Sequence, residues 1–251
     1  HEHNAVMGRA NRALVRFADM LALSFARTKF ADATGPEQVL TGNPVRDRVR
    51  AVAGEPYPAL APDGQIRLVV FGGSQGARAI SDIVPAAIAG LPDGLQRRLL
   101  VVQQCRADDL DRVAEVYRQA RINVELATFF TDLPERMARS HLVIGRSGAS
   151  TIAELTVLGR PALLVPLPGA IDADQKHNAL VMAAAGAGWV LEQATLSPQS
   201  LGTALTQLLS EPAKLSAAAA AARSLGQPRA VEKLADLAEM LSGKNILEPM
   251  P

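Results

Sequence analysis

Apolar runs alternate with amphipathic stretches along most of the chain. The clearest run, Ile66–Phe71, is rich in β-branched residues and is ended by two glycines. Runs of this kind predict strands at 66–71, 99–102, 124–127, 141–144 and 162–165. The stretches between them predict helices at 77–89, 108–120, 151–159 and 175–185. Strands that alternate with helices indicate a parallel sheet, so the pattern predicts a Rossmann-like, doubly wound α/β fold.

The two ends of the chain have less regular patterns. Residues 11–19 predict a helix, and short apolar runs follow at 20–25 and 39–41. Residues 54–63 contain three prolines and therefore predict a loop. After the last predicted strand, the sequence predicts three helices, at 198–209, 212–225 and 229–241.

Composition excludes several classes of protein. The 251 residues are 48% hydrophobic and 20% charged, which is ordinary for a globular chain. A net charge of +1 argues against a broad basic surface for nucleic acid, so we expect no nucleic-acid partner. The single cysteine, Cys105, and four scattered histidines predict no disulfide, no metal site and no cofactor. Every apolar run is shorter than the roughly 18 residues of a spanning helix, which leaves contact with a membrane surface open.

The first residues, His1-Glu2-His3-Asn4, have no initiator methionine and no signal-peptide pattern. A remnant of an affinity tag is one interpretation. The interpretation that we favour is a natural protein whose front is missing from this sequence.

Two glycine-containing loops follow predicted strands and precede predicted helices. They are Gly72-Gly-Ser-Gln-Gly-Ala77 and Gly145-Arg-Ser-Gly-Ala-Ser-Thr151. Neither has the dinucleotide or P-loop spacing, and each alone could be a tight turn. Together, at the carboxyl ends of strands of one sheet, they predict a site for a phosphorylated nucleotide. Ser147, Ser150 and Thr151 could cap the second helix.

Three further polar groups could complete such a site. Glu154 could accept two hydrogen bonds from a vicinal diol such as ribose, or could only favour the helix dipole. Asp174, Gln175 and Asn178 suit sugar hydroxyls, although Asp172 or Asp174 could simply be the N-cap of that helix. Arg46, in the turn Gly42-Asn-Pro-Val-Arg46, could pair with a phosphate, could span two domains, or could simply be solvated.

Taken in order, these motifs resemble the MurG family of glycosyltransferases. The matching segments are 1–4, 42–46, 72–77, 146–154 and 174–178. The resemblance implies the donor-binding half of a GT-B fold. It also implies an inverting transfer of N-acetylglucosamine from UDP-N-acetylglucosamine to lipid-linked N-acetylmuramoyl-pentapeptide, a step of peptidoglycan precursor synthesis. The expected location is peripheral, on the cytoplasmic side of the bacterial inner membrane.

The resemblance also implies which residues bind the donor. Ser74 would lie by the phosphates, the backbone of Phe130 by uracil, Glu154 by the ribose hydroxyls and Gln175 by the sugar. The full implied set is Asn4, Arg46, Ser74, Phe130, Ala149, Ser150, Thr151, Ile152, Ala153, Glu154 and Gln175. His3 and Asp174 stand where the family commonly has glutamine, which affects the sugar contacts.

The family's amino-terminal glycine-rich loop, its proposed catalytic base and its membrane-facing surface have no counterpart in this sequence. We therefore predict three regions: 1–43 as the tail of an amino-terminal acceptor domain, 44–226 as the UDP-sugar domain, and 227–251 as a terminal helix crossing back. Two alternatives stay open. One is a noncatalytic UDP-sugar-binding subunit of a two-chain transferase, and the other is a UDP-sugar epimerase.

Overall fold

The structure, a computed structural model, describes residues 1–32, 35–73 and 77–243. A small parallel sheet pairs β1 (Met20–Leu23) with β2 (Glu37–Leu40). A second sheet is parallel throughout and has six strands among the described residues. They are β3 (Ile66–Phe71), β4 (Leu99–Gln104), β5 (Asn123–Ala127), β6 (Leu142–Gly145), β7 (Ala162–Leu164) and β8 (Gly188–Val190).

The described helices are α1 (Arg9–Leu14), α2 (Asp47–Val52), α3 (Arg78–Ala89), α4 (Asp93–Gln96), α5 (Leu110–Gln119), α6 (Leu133–Ala138), α7 (Ala149–Leu158), α8 (Asp174–Ala184), α9 (Pro198–Leu209), α10 (Pro212–Leu225) and α11 (Ala230–Ser242). The doubly wound α/β prediction is confirmed. The single helix predicted at 11–19 is wrong, because α1 ends at Leu14 and a separate 3-10 turn covers Val15–Phe17.

The order of strands in the large sheet determines where a ligand can bind. The order is β5-β4-β3-β6-β7-β8, so the chain proceeds outward in one direction from β3 and in the other direction from β6. This reversal is the topological switch point, at which open α/β sheets bind ligands beyond the carboxyl ends of their strands. Phe71 is paired with Gly145, so the two glycine-containing loops begin side by side at this point.

The sheet is buried on both faces. Along β3, Ile66, Leu68 and Val70 belong to the core shared with α3, α5 and α9. Val69 and Phe71 belong to the opposite core, which includes residues of α7 and α8. This alternation is the two-residue period of a strand, and burial on both sides explains why every residue of β3 except the exposed Arg67 is apolar.

The first residues of the chain lie beside β1. The Glu2 amide donates to the Ala22 carbonyl at 2.9 Å, and the Met7 amide donates to the Lys29 carbonyl at 3.0 Å. The Glu2 carboxylate is only 2% exposed and accepts hydrogen bonds from the Asn4 and Gly8 amides. The segment that contains Asn4 is therefore anchored by both backbone and side-chain bonds.

The last described helix, α11, starts against the turn at Gly42. Gly42 has a φ of +86°, and a Cβ there would lie 2.3 Å from the Cβ of Gln227, so this contact requires glycine. On α11, Val231, Met240 and Leu241 remain exposed. The division into 1–43, 44–226 and 227–251 stays a prediction, and residues 244–251 of the last region lie outside the described residues.

Arg160 holds three segments together at the amino edge of the large sheet. Its fully buried guanidinium donates to the carbonyls of Pro56, Ala138, Leu158 and Gly159, at distances that include 3.0 Å to Pro56 and 2.7 Å to Leu158. Burial lowers the pKa of Arg160 to about 10. One side chain therefore joins the loop at 54–63 to the ends of α6 and α7.

Replacing Arg160 with methionine should lower the free energy of unfolding by about 3 kcal/mol, because buried carbonyls would lose their donors. Urea denaturation followed by circular dichroism measures the change. Arg118→Met is the matched control, because Arg118 pairs with Glu115 on the exposed face of α5 and its loss should leave the urea midpoint unchanged. Equal shifts for the two variants would contradict this role.

Candidate functional site

The first turn of α7 lies directly after the switch-point strand β6 and has no side-chain cap. Its N-cap is Gly148, and Ile152 is the first amide of the helix to bond back, to the Gly148 carbonyl at 3.0 Å. The amides of Ala149, Ser150 and Thr151 have no partner among the described residues. Free amides at the start of a helix attract an anion, so this turn is suited to a phosphate group.

The prediction that serine or threonine caps α7 is wrong, because the nearest hydroxyl is used elsewhere. Ser147 is fully buried and its Oγ donates to the Gln175 carbonyl at 2.7 Å. That bond joins the β6 loop to the first turn of α8. The neighbouring Arg146 is also buried, and its guanidinium donates to the carbonyls of Val165 and Pro166. Both side chains therefore fix the shape of the loop.

Glu154 forms a two-armed ion pair with Arg46. Arg46 Nε lies 2.8 Å from Glu154 Oε1, and Arg46 Nη2 lies 2.8 Å from Glu154 Oε2. The Glu154 side chain is 10% exposed, whereas that of Arg46 is 53% exposed. The hydrogen bond that Arg46 donates to Glu154 raises the pKa of Arg46 above its usual range. The pair lies between α2 and α7, and it brings together residues that are 108 positions apart.

The loop around Phe130 is held against the same helix α2. Arg48, on α2, donates to the Thr131 carbonyl and forms an ion pair with Glu135 at 3.2 Å. The Phe130 ring is buried, with the Arg136 guanidinium 4.5 Å from its centroid. The backbone amide and carbonyl of Phe130 have no hydrogen bond among the described residues. They are available to a planar ring that carries its own donors and acceptors.

Asn178 joins the amino-terminal segment to the β6 loop. Its Nδ2 donates to Asn4 Oδ1 at 2.9 Å and to the Ser147 carbonyl at 3.1 Å, and its Oδ1 accepts from the Ala5 amide at 2.8 Å. Asn178 is fully buried, so the prediction that it offers its amide to a sugar is wrong. These hydrogen bonds place Asn4 beside α8.

Gln175 lies in the first turn of α8, and its Oε1 accepts from the Leu167 amide at 3.0 Å. Its Nε2 has no partner among the described residues and could donate to a ligand. The prediction that Asp172 or Asp174 caps α8 is wrong. The N-cap is Ala173, in a left-handed conformation with φ of +48°, and Asp172 pairs with Arg12 at 2.7 Å. The start of α8 is therefore attached to α1.

The structure thus brings Asn4, Gln175 and the first turn of α7 together at one edge, and it places Arg46 and the Phe130 loop beside Glu154. Ser74 lies outside the described residues. Cys105 is buried, which raises the pKa of its thiol, as expected of a small core residue. Within the described ranges, no group of histidine, cysteine and carboxylate side chains could hold a metal ion, and no helix could cross a membrane.

A separate cavity of about 480 Å³ lies on another face of α7. Its walls are mostly apolar and come from residues 24–27 and 40–43, from α7 and α8, and from the junction of α10 and α11. Neither Arg46 nor Glu154 lines it. Ala149, Ile152 and Ala153 do line it, so the cavity reaches the first turn of α7 but not the ion pair between Arg46 and Glu154.

Comparison with known proteins gives a consistent result. The family described as "Glycosyltransferase family 28 C-terminal domain" matches residues 67–240. A curated relative from Methylobacterium sp. (strain 4-46), named UDP-N-acetylglucosamine–N-acetylmuramyl-(pentapeptide) pyrophosphoryl-undecaprenol N-acetylglucosamine transferase, is 54% identical over 94% of this chain and 64% of its own length. A relative of the same name from Brucella abortus (strain S19) is 47% identical over 99% of this chain and 65% of its own length.

Solved structures agree on the fold. The crystal structure of Acinetobacter baumannii MurG matches with a TM-score of 0.81 and 28% identity over 96% of this chain and 66% of that chain. A UDP-GlcNAc 2-epimerase from Neisseria meningitidis matches with a TM-score of 0.51 and 15% identity over 72% of this chain and 45% of that chain, which is a likeness of fold alone. The chain spans about 64% of the length of the curated relatives.

Proposed function

The chain belongs to the family of glycosyltransferase family 28 C-terminal domains, and from that membership we propose that it binds UDP-N-acetylglucosamine at the β3–β6 edge. The reaction that we propose is an inverting transfer of N-acetylglucosamine to lipid-linked N-acetylmuramoyl-pentapeptide. Relatives at about half identity carry the name of this transferase. The observation that carries the proposal is Glu154, a nine-tenths-buried carboxylate that is paired with Arg46 and lies on α7, the helix whose first amides have no partner among the described residues.

The donor would be recognised in four parts. The diphosphate would accept from the amides at the start of α7 and lie near Ser74, while uracil would bond to the free backbone groups of Phe130. The ribose hydroxyls would donate to Glu154. The hexose would face Gln175 and Asn4, whose amide nitrogens have no partner among the described residues.

The same groups would act in the reaction. As the acceptor's 4-hydroxyl attacks the anomeric carbon, the bond to UDP breaks and negative charge grows on the departing diphosphate. The amides of the α7 first turn, already fixed in place, would stabilise that charge without reorganising. The group that takes the proton of the acceptor hydroxyl is assigned to the part of the relatives that this chain does not span.

Donor binding and sugar transfer should therefore be separable. The chain alone should bind UDP in a calorimeter but should not move labelled N-acetylglucosamine to a lipid acceptor, because an unpositioned acceptor lacks the several kcal/mol that orientation contributes. Fusion to the amino-terminal third of the Methylobacterium relative should restore transfer.

Robust transfer by the chain alone would contradict the placement of the proton acceptor, and failure to bind UDP would contradict the donor site. Conversion of UDP-N-acetylglucosamine to its epimer without an acceptor would favour the epimerase alternative. UDP binding with no transfer after the fusion would favour a noncatalytic subunit.

Gln175→Ala should weaken UDP-N-acetylglucosamine about fivefold and leave UDP nearly unchanged, because one hydrogen bond to the hexose is worth about 1 kcal/mol. Competition calorimetry measures the dissociation constants of UDP-N-acetylglucosamine and UDP for the variant and for the unmodified chain. Gln119→Ala, in the exposed face of α5, is the matched control. Equal losses for the two ligands would show that Gln175 serves the nucleotide or the loop at Leu167 instead.

We also propose peripheral binding at the cytoplasmic side of the inner membrane. Besides any surface on the part not spanned, the tail at 1–43 has an exposed aromatic and basic patch. Leu14, Phe17 and Phe30 are 62%, 74% and 44% exposed. Arg16 lies 4.7 Å from the Phe17 ring, and Arg12 and Lys29 lie 4.7 and 5.0 Å from the Phe30 ring. Aromatic rings among cations suit an anionic lipid surface.

Changing both Phe17 and Phe30 to serine should reduce cosedimentation of the chain with vesicles that contain phosphatidylglycerol, because less apolar area enters the interface. Met240→Ser, an exposed apolar change on α11, should leave cosedimentation unchanged. If the double variant cosediments like the unmodified chain, this patch does not contact the membrane.

A further inference from the structure

The ion pair between Arg46 and Glu154 uses both oxygens of the carboxylate and two nitrogens of the guanidinium. Each contact is 2.8 Å long, which is typical of strong charge-assisted hydrogen bonds. A carboxylate can accept about four hydrogen bonds, and Arg46 uses two of them. Glu154 therefore retains one acceptor position on each oxygen, the number that a vicinal diol needs.

Loss of the ion pair should disturb Glu154 more than Arg46, because only the Glu154 side chain is buried. The Glu154 side chain is 10% exposed and would be a buried carboxylate without a partner if Arg46 were removed, whereas Arg46 is half exposed and solvated. The two parallel hydrogen bonds from the guanidinium fix the plane of the carboxylate.

Arg46 itself has a defined position. It is the N-cap residue of α2, with extended backbone angles of −60° and 149°. The first turn of α2 is held to the Phe130 loop by Arg48, through the Thr131 carbonyl and Glu135. Arg46 therefore reaches Glu154 from a helix whose position is set by other contacts.

We propose that Arg46 is a positioning residue that prepares Glu154 for the ribose diol, and that it does not bind the diphosphate. The inference rests on the proposed function, because it assigns the ribose to Glu154. It differs from a direct phosphate contact, in which Arg46 would donate to the diphosphate through the N–H groups that the Glu154 pair leaves free. Its consequence is that Arg46 matters only to ligands that carry the 2′- and 3′-hydroxyls.

The test compares UDP with 2′,3′-dideoxyuridine diphosphate, which keeps the uracil and both phosphates but lacks the diol. Calorimetry on the unmodified chain and on Arg46→Met gives, for each nucleotide, the ratio of the two dissociation constants. Arg46→Met should weaken UDP about tenfold and leave the dideoxy nucleotide unchanged. Arg46→Lys should recover part of the loss, since lysine restores the charge without the fork.

Arg50→Met is the matched control on the same helix, because Arg50 pairs with Glu232 and Asp47, away from Glu154. It should change neither affinity. In a Glu154→Ala background, Arg46→Met should have no further effect on UDP, because the residue through which Arg46 acts is gone. Thermal unfolding of each variant confirms that the folded chain is being measured.

Equal losses for UDP and the dideoxy nucleotide would overturn the inference and indicate a direct contact with the phosphates, while leaving the proposed function intact. No loss for either nucleotide would also overturn it. If the unmodified chain binds neither nucleotide, the proposed function fails first and the inference fails with it.

Discussion

The pairing of Phe71 with Gly145 determines the geometry of the whole site. It joins β3 to β6 in parallel, and a Cβ at residue 145 would lie 2.7 Å from the Phe71 carbonyl oxygen, so only glycine allows the strands to approach in this way. Because these are the two central strands of the sheet, the loops that follow them leave the same point. This contact sets the position of the first turn of α7, whose first amides have no partner within the described ranges, and of Glu154 one turn further along the helix.

Around that point, the site is assembled from segments that are far apart in the sequence. Asn178 attaches the segment of Asn4 to the β6 loop, and Arg46 attaches the start of α2 to α7. In both cases a side chain from outside the β6–α7 unit completes its polar edge. The same buried groups that stabilise the fold therefore also define where hydroxyls and phosphates could bind.

The sequence was sufficient for the elements whose pattern is long or strongly alternating. The run at 66–71 predicted β3 with its observed bounds, and α9 and α10 have the predicted bounds as well. The sequence analysis missed the short helices α2, α4 and α6 and the three-residue strand β8, because elements this short do not show a recognisable hydrophobic period. Cap predictions failed for α7 and α8, because Ser147 and Asp172 bond to distant partners instead.

The residues at the candidate site were partly predictable for a similar reason. Glycines after a buried strand identified both loops, and a carboxylate early in α7 identified Glu154. The ion pair between Arg46 and Glu154 joins residues 108 positions apart, so no local pattern could reveal it. Likewise, the burial of Asn178 depends on the amino-terminal segment folding over it. Motifs indicated the residues of the candidate site, whereas the contacts that these residues make depend on tertiary structure.

The central claim is that a uridine nucleotide binds where β3 and β6 end, and a crystal structure of the chain with UDP tests it most directly. We expect the uracil on the backbone of Phe130, the ribose hydroxyls on Glu154 with Arg46 still in place, and the diphosphate at the amides of residues 149–151. UDP in the 480 Å³ cavity on the other face of α7, with the switch-point edge empty, would contradict the account.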